Sequence, residues 1–161
     1  MPITITDEVN ISHWYQQADL SVRVVRALIA ACAAEPLLNA HFDPQTESIK
    51  PFEAIHLGLA VDTEHGLYVP VIRDIENADD EQIRNKIDYC KQHAATKTLH
   101  QDELKDATIT LSNFGRFAGR FGTPIITPPT VAILAVGRVY KAPVITGSGT
   151  IEPGALLPLS L

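Results

Sequence analysis

Apolar residues recur at intervals of three and four from Leu20 through Val24, Leu28 and Ala31 to Cys32. That period lays one apolar stripe along a helix, so the spacing predicts an amphipathic helix over residues 20–34, stopped by Pro36. A second helix is expected to run to about Ala95, burying Ile83, Ile87, Cys90 and Ala94, with Asn77 and Asp79 as candidate caps. Residues 2–6 (PITIT) alternate like a strand. Ile55–Asp62 (IHLGLAVD) and Leu67–Ile72 (LYVPVI) read as two strands turned by Glu64, His65 and Gly66. Pro70 cannot donate to a ladder, which points to an edge strand or a bulge there. Thr108–Leu111, Val131–Val139 and Leu156–Leu161 supply three more strands. The order β, α, ββ, α, βββ predicts an α+β sandwich and not an alternating doubly wound fold.

Composition narrows the partners. A chain of 161 residues with 45% hydrophobic and 20% charged residues is read as one globular domain spanning 1–161. Its net charge of −6, with thirteen scattered Lys and Arg, argues against nucleic acid. The longest apolar runs, residues 27–34 and 131–137, fall well short of the ~20 that a membrane helix needs. No secretion pattern opens the chain, and Cys32 and Cys90 form no CxxC. Each cysteine falls in a helical apolar pattern, so buried free thiols in a reducing cytoplasm are expected.

Candidate chemistry centres on Thr108–Gly122, TITLSNFGRFAGRFG. Its glycines at 115, 119 and 122 fit neither GxGxxG nor a P-loop, and the following TPIITPP forbids the helix that a phosphate cradle requires. GxSxG and HExxH are absent. The histidines have no metal-ligand spacing, so no metal is assigned. His56 reads as a core residue with its nitrogens satisfied, and His13, His41, His65, His93 and His100 read as surface. Ser112 ends a buried strand ahead of glycines. Its hydroxyl either points into a cavity or caps a turn, since Ser followed by Asn is common turn chemistry.

Several phrases together resemble one family, the catalytic domain of the dihydrolipoyl acyltransferases of 2-oxo acid dehydrogenase complexes, which share a fold with chloramphenicol acetyltransferase. They are PLLNA (36–40), IHLGLAVDTEHGLYVPVIRD (55–74), ITLSNFG (109–115), TPIITPPTVAILAVG (123–137) and the closing LLPLSL. The resemblance implies a mixed sheet flanked by helices, a homotrimer or larger core, and active sites at subunit boundaries. It implies transfer of an acyl group between coenzyme A and dihydrolipoamide, the latter carried by the lipoyl domain of a partner chain, with no covalently bound cofactor. On the matching phrase, Ser112 takes the role of hydrogen-bond donor to the tetrahedral oxyanion, typically worth about 3 kcal/mol of barrier. Asn113 and Gly115 fall in the same phrase as substrate-binding positions. Arg116 and Arg120 are read as surface residues, with a coenzyme A phosphate as the alternative partner.

The chain departs from the family at one catalytic phrase. The family's general base lies in a DHRxxxG phrase just beyond the strand that LLPLSL matches, and none of the six histidines here is followed by Arg or, four residues on, by Asp. The sandwich is expected to be incomplete at both ends, with no lipoyl domain, no peripheral subunit-binding domain and no activity as written. The alternative is a non-catalytic scaffold subunit of a complex core.

Overall fold

The computed structural model describes residues 3–116 and 119–161. Helix α1 (Leu20–Ala34) has the predicted limits, and Pro36 opens a short 3-10 turn just beyond its Glu35 cap. Helix α2 (Asp80–Thr96) is capped by Asp79, not Asn77. Asp79 accepts from the Gln82 N–H while the Gln82 side chain accepts from the Asp79 N–H, a reciprocal capping box. The buried residues of α2 are Ile83, Ile87, Cys90 and Ala94, as its period predicts.

Among the described residues, ten strands accompany the helices: β1 (Thr6–Asn10), β2 (Ala40–Asp43), β3 (Ser48–Pro51), β4 (Leu57–Thr63), β5 (Gly66–Tyr68), β6 (Val71–Ile72), β7 (Ile109–Asn113), β8 (Ile133–Val136), β9 (Tyr140–Ile145) and β10 (Ile151–Ser160). The main sheet runs β1-β10-β8-β7-β4-β5, with β6 also on β4 and β9 also on β10. β4 and β8 flank β7 in parallel, and the other pairings are antiparallel, so the sheet is mixed. Leu57, Leu59 and Val61 of β4, Ile109 and Leu111 of β7, Val136 of β8 and Leu157 of β10 join the apolar faces of both helices in one core. This is the α+β architecture read from the element order.

Several strands differ from the reading of the sequence. The first is displaced from residues 2–6 to Thr6–Asn10; Pro2 lies outside the described residues. Ile3 and Ile5 are 75% and 68% exposed, so their alternation buries nothing, and backbone pairing with β10 sets the strand instead. The segment 67–72 splits into β5 and β6 around Pro70. It lies at the sheet edge with no bulge, because both pieces keep one register against β4. The Leu59 N–H donates to the Pro70 carbonyl at 2.8 Å, and the reciprocal bond is the one that proline cannot make. Glu64 and His65 form the hairpin loop, closed by Gly66 at φ 115°.

The β2–β3 hairpin and β9 escaped the pattern altogether. β2 and β3 are only four residues each, and β9 pairs Pro143 against Pro153 of β10, a composition that disfavours a strand reading. β8 and β9 together form one line along β10, broken where Gly137, Arg138 and Val139 face only Leu157 and Pro158. This one-residue bulge falls opposite a proline that has no N–H to give, and it bends the strand just beside the end of β7.

Candidate functional site

Ser112 is the fourth residue of β7 and stands beside Ala60 of β4 on one side and Ala135 of β8 on the other. Ala135 in turn pairs with Ser160 of β10. Register therefore places Ala60, Ser112, Ala135 and Ser160 in one row across four strands. Side chains alternate along a strand, so this row faces away from the helices that bury Leu111. No member extends beyond one atom past Cβ; Ala135 and Ser160 are buried, and Ser112 is half-buried. Ser160 is fully buried, and its Oγ accepts from the Gly122 N–H at 3.4 Å, tying the 119–130 loop to this face.

Ser112 is half-buried within the ladder. The turn that follows is closed by its neighbour, because Asn113 Oδ1 accepts from the Gly115 N–H at 3.3 Å. The capping role therefore belongs to Asn113, and the Ser112 hydroxyl remains on the row. Gly115 is a close-approach point: a methyl there would sit 2.5 Å from the Gly137 carbonyl oxygen. Gly119 has no such neighbour, and Gly122 lies against the Phe114 ring. Phe117 and Ala118, in the same stretch, lie outside the described residues.

The structure divides the three expected site residues between the faces of the sheet. A cavity of about 860 Å³ opens on the helix side, between α1, α2 and the ends of β4 and β7. Asn113 lines it, with Arg116, His65 and Lys91 among the polar residues of the same lining, whereas Ser112 and Gly115 do not. Arg120 lies at the surface, as read, and stacks there on an aromatic ring. Its guanidinium lies 3.8 Å from the Tyr140 ring centre, and the Tyr140 hydroxyl donates to Glu8.

The histidines are spread through the fold. His56 precedes β4 and is half-buried outside the apolar core, so the core reading does not hold; its Nδ1 accepts from the Asp74 N–H at 3.3 Å. His41 departs from the surface reading: it lies in β2, half-buried, with Nε2 2.7 Å from the Ala107 carbonyl and its ring 4.6 Å from that of Phe52. His93 Nδ1 lies 2.6 Å from Thr98 Oγ1 at the end of α2. Both cysteines are buried and free, and burial pushes each thiol up to about 11, so neither is a nucleophile at neutral pH. Ala60, Ala135 and Ser160 were missed as site neighbours, because only the pairing register brings them beside Ser112.

The model of the 2-oxoacid dehydrogenases acyltransferase (catalytic domain) family matches residues 5–161. Over 138 residues the chain is 37% identical to the dihydrolipoyllysine-residue acetyltransferase component of the pyruvate dehydrogenase complex of Staphylococcus aureus, covering 86% of this chain and 32% of that protein. Over the same length it is 31% identical to the lipoamide acyltransferase component of the branched-chain alpha-keto acid dehydrogenase complex, mitochondrial, of Arabidopsis thaliana, covering 86% and 29%. The chain thus spans about a third of the length of these curated relatives.

Among solved structures, it superposes on a dihydrolipoamide acetyltransferase of Azotobacter vinelandii with a TM-score of 0.91 at 26% identity, covering 98% of this chain and 70% of that one. In that protein a serine, a histidine and an asparagine were studied for their roles in the catalytic mechanism. A chloramphenicol acetyltransferase matches with a TM-score of 0.63 at 15% identity, covering 98% of this chain and 76% of that one, a likeness of fold alone.

Proposed function

Because the chain belongs to the family of 2-oxoacid dehydrogenase acyltransferase catalytic domains, we propose that Ser112 serves acyl transfer between coenzyme A and dihydrolipoamide. In this reaction the sulfur of one thiol bonds to the thioester carbonyl carbon, and the carbon–sulfur bond to the other carrier then breaks. The proton lost by the attacking thiol ends on the departing thiolate. Between these events the carbonyl oxygen carries a full negative charge, and a hydroxyl held beside it lowers the barrier by about 3 kcal/mol. The observation that supports the reading is the place of Ser112 at the end of β7, half-buried between Ala60 of β4 and Ala135 of β8, on the residue that the family phrase singles out.

Among the described residues, no histidine lies on the Ser112 row. We place the chain as slow at neutral pH, since positioned proton transfer commonly contributes about 100-fold to 10,000-fold. Raising the pH ionises the attacking thiol without a base, so Ser112 then acts on a thiolate that solvent has made. The natural carriers are acyl-coenzyme A and the lipoyl domain of a partner chain. Assembly as a homotrimer or a larger core is supported by the exposure of Phe121 and Ile125 on the loop tied to this face, at 45% and 84%.

The test measures acetyl transfer from acetyl coenzyme A to dihydrolipoamide between pH 7 and 10. Expected is a rate that rises through the thiol pKa, with Ser112→Ala lowering it about 100-fold at the top of the range. Light scattering on the same sample is expected to give a trimer or a larger assembly. Turnover that Ser112→Ala leaves unchanged overturns the proposal, and a discrete assembly without turnover favours the non-catalytic scaffold.

A further inference from the structure

We infer that Arg138 is a positioning residue that clamps the loop leaving Ser112. The bulge at Gly137–Val139 puts an extra residue into the strand and turns Arg138 out of the ladder toward β7. Its Nε donates to the Gly115 carbonyl at 2.8 Å, and its Nη2 donates to the Arg116 carbonyl at 3.2 Å. Its backbone N–H also donates to the Gly119 carbonyl at 3.3 Å. One residue thus binds three carbonyls of a single loop, two of them through a planar fork that lysine cannot reproduce.

The rest of the clamp is built from backbone. The Phe114 N–H donates to the Val136 carbonyl, the Gly115 N–H donates to Asn113, and Gly115 packs on Gly137 too closely to admit a methyl group. Strand β7 therefore cannot slide or twist at its Ser112 end without breaking the Arg138 contacts. The same contacts hold Arg116 at the lining of the helix-side cavity, so one guanidinium fixes both faces of the strand end. Arg138 touches no reacting atom, and its effect passes through Gly115 and Arg116 to the Ser112 hydroxyl.

The catalytic consequence rests on the acyl-transfer reading, whereas the clamp itself does not. Two readouts on the full 161-residue chain separate them. The first is amide hydrogen exchange at Gly115, Arg116 and Gly119, expected to quicken at least tenfold in Arg138→Ala and Arg138→Gln while α1 and α2 keep their protection. The second is transfer from acetyl coenzyme A to dihydrolipoamide at pH 9.5.

There kcat is expected to fall about 10-fold to 100-fold with KM within twofold, because displacement of a reacting group costs rate more than binding. Arg138→Lys should not restore either property, whereas added guanidinium ion should restore Arg138→Ala in part. Lys141→Ala, exposed on β9, should match the parent chain in both assays. Unchanged exchange in Arg138→Ala overturns the clamp. Faster exchange with unchanged kcat overturns its positioning role. If the parent chain and Ser112→Ala are both silent at pH 9.5, the acyl-transfer reading fails, taking the catalytic role of Arg138 with it, and exchange alone decides the clamp.

Discussion

Cys32 and Cys90 show how local burial sets reactivity in this fold. Each lies on the apolar stripe of its helix, and loss of water around the sulfur raises both thiols to about 11; Glu103 adds a smaller like-signed effect at Cys90. At pH 8 only about one thiol in a thousand is then ionised, and the sulfurs are shielded as well. A disulfide reagent such as dithionitrobenzoate is expected to titrate neither in the native chain at pH 8 and both after unfolding in guanidinium. Rapid native labelling of either would show that its helix opens readily or packs differently. Ser112 differs in kind: nothing about a serine in TLSN sets it apart from a turn former, and its half-buried place between Ala60 and Ala135 comes from strand register.

At the scale of the element, α1 depends on its N-terminal cap. Asp19 accepts from the Ser21 and Val22 N–H groups at 2.9 and 3.1 Å and pairs with Arg84 of α2 at 3.0 Å. Partial burial alone would raise its carboxyl, but the Arg84 contact and the two N–H bonds outweigh it and hold the group below its ordinary 3.8. A carboxyl depressed in the folded state stabilises fully above its unfolded pKa, and that contribution is lost as pH falls through the folded value. Asp19→Ala is expected to cost about 1 kcal/mol at pH 7, seen as a Tm lower by about 3 °C. The difference between parent and variant should shrink as the pH drops below 3.8. A constant difference from pH 7 to pH 2.5 would exclude the ionised cap as its source.

At the scale of the molecule, one buried polar cluster joins segments far apart in the chain. Thr108, 1% exposed, donates its hydroxyl to Asn39 Oδ1 and accepts from the His56 N–H. The Asn39 amide donates to the carbonyls of Phe52 and Ala54. The start of β7, the approach to β4 and the end of the β2–β3 hairpin therefore meet at two side chains. Thr108→Val keeps the shape and removes the hydroxyl, leaving the His56 N–H without its Thr108 partner and Asn39 Oδ1 without its donor. Each such group costs about 1–3 kcal/mol. Urea unfolding is expected to show a midpoint lowered accordingly with an unchanged m-value. A variant as stable as the parent would mean that water takes the place of the hydroxyl.

Periodicity alone determined both helices, with the limits of α1 and the four buried residues of α2, because a 3.6-residue repeat over fifteen or more positions is a strong local signal. The order of elements also sufficed for the α+β class. Strands were legible where apolar runs are buried, as in β4 and β7, and illegible where pairing alone makes them, as in β9 with Pro143 or β1 with its polar TDEVN. The sequence likewise singled out Ser112, by resemblance to a family phrase. Only the tertiary structure decided which face Ser112 occupies, that Asn113 faces the other side, and that Arg138 reaches the loop that follows them. Those facts depend on strand register and on one bulge, and register is a relation between segments distant in the chain, as with Ala60 and Ser112, that no local pattern encodes.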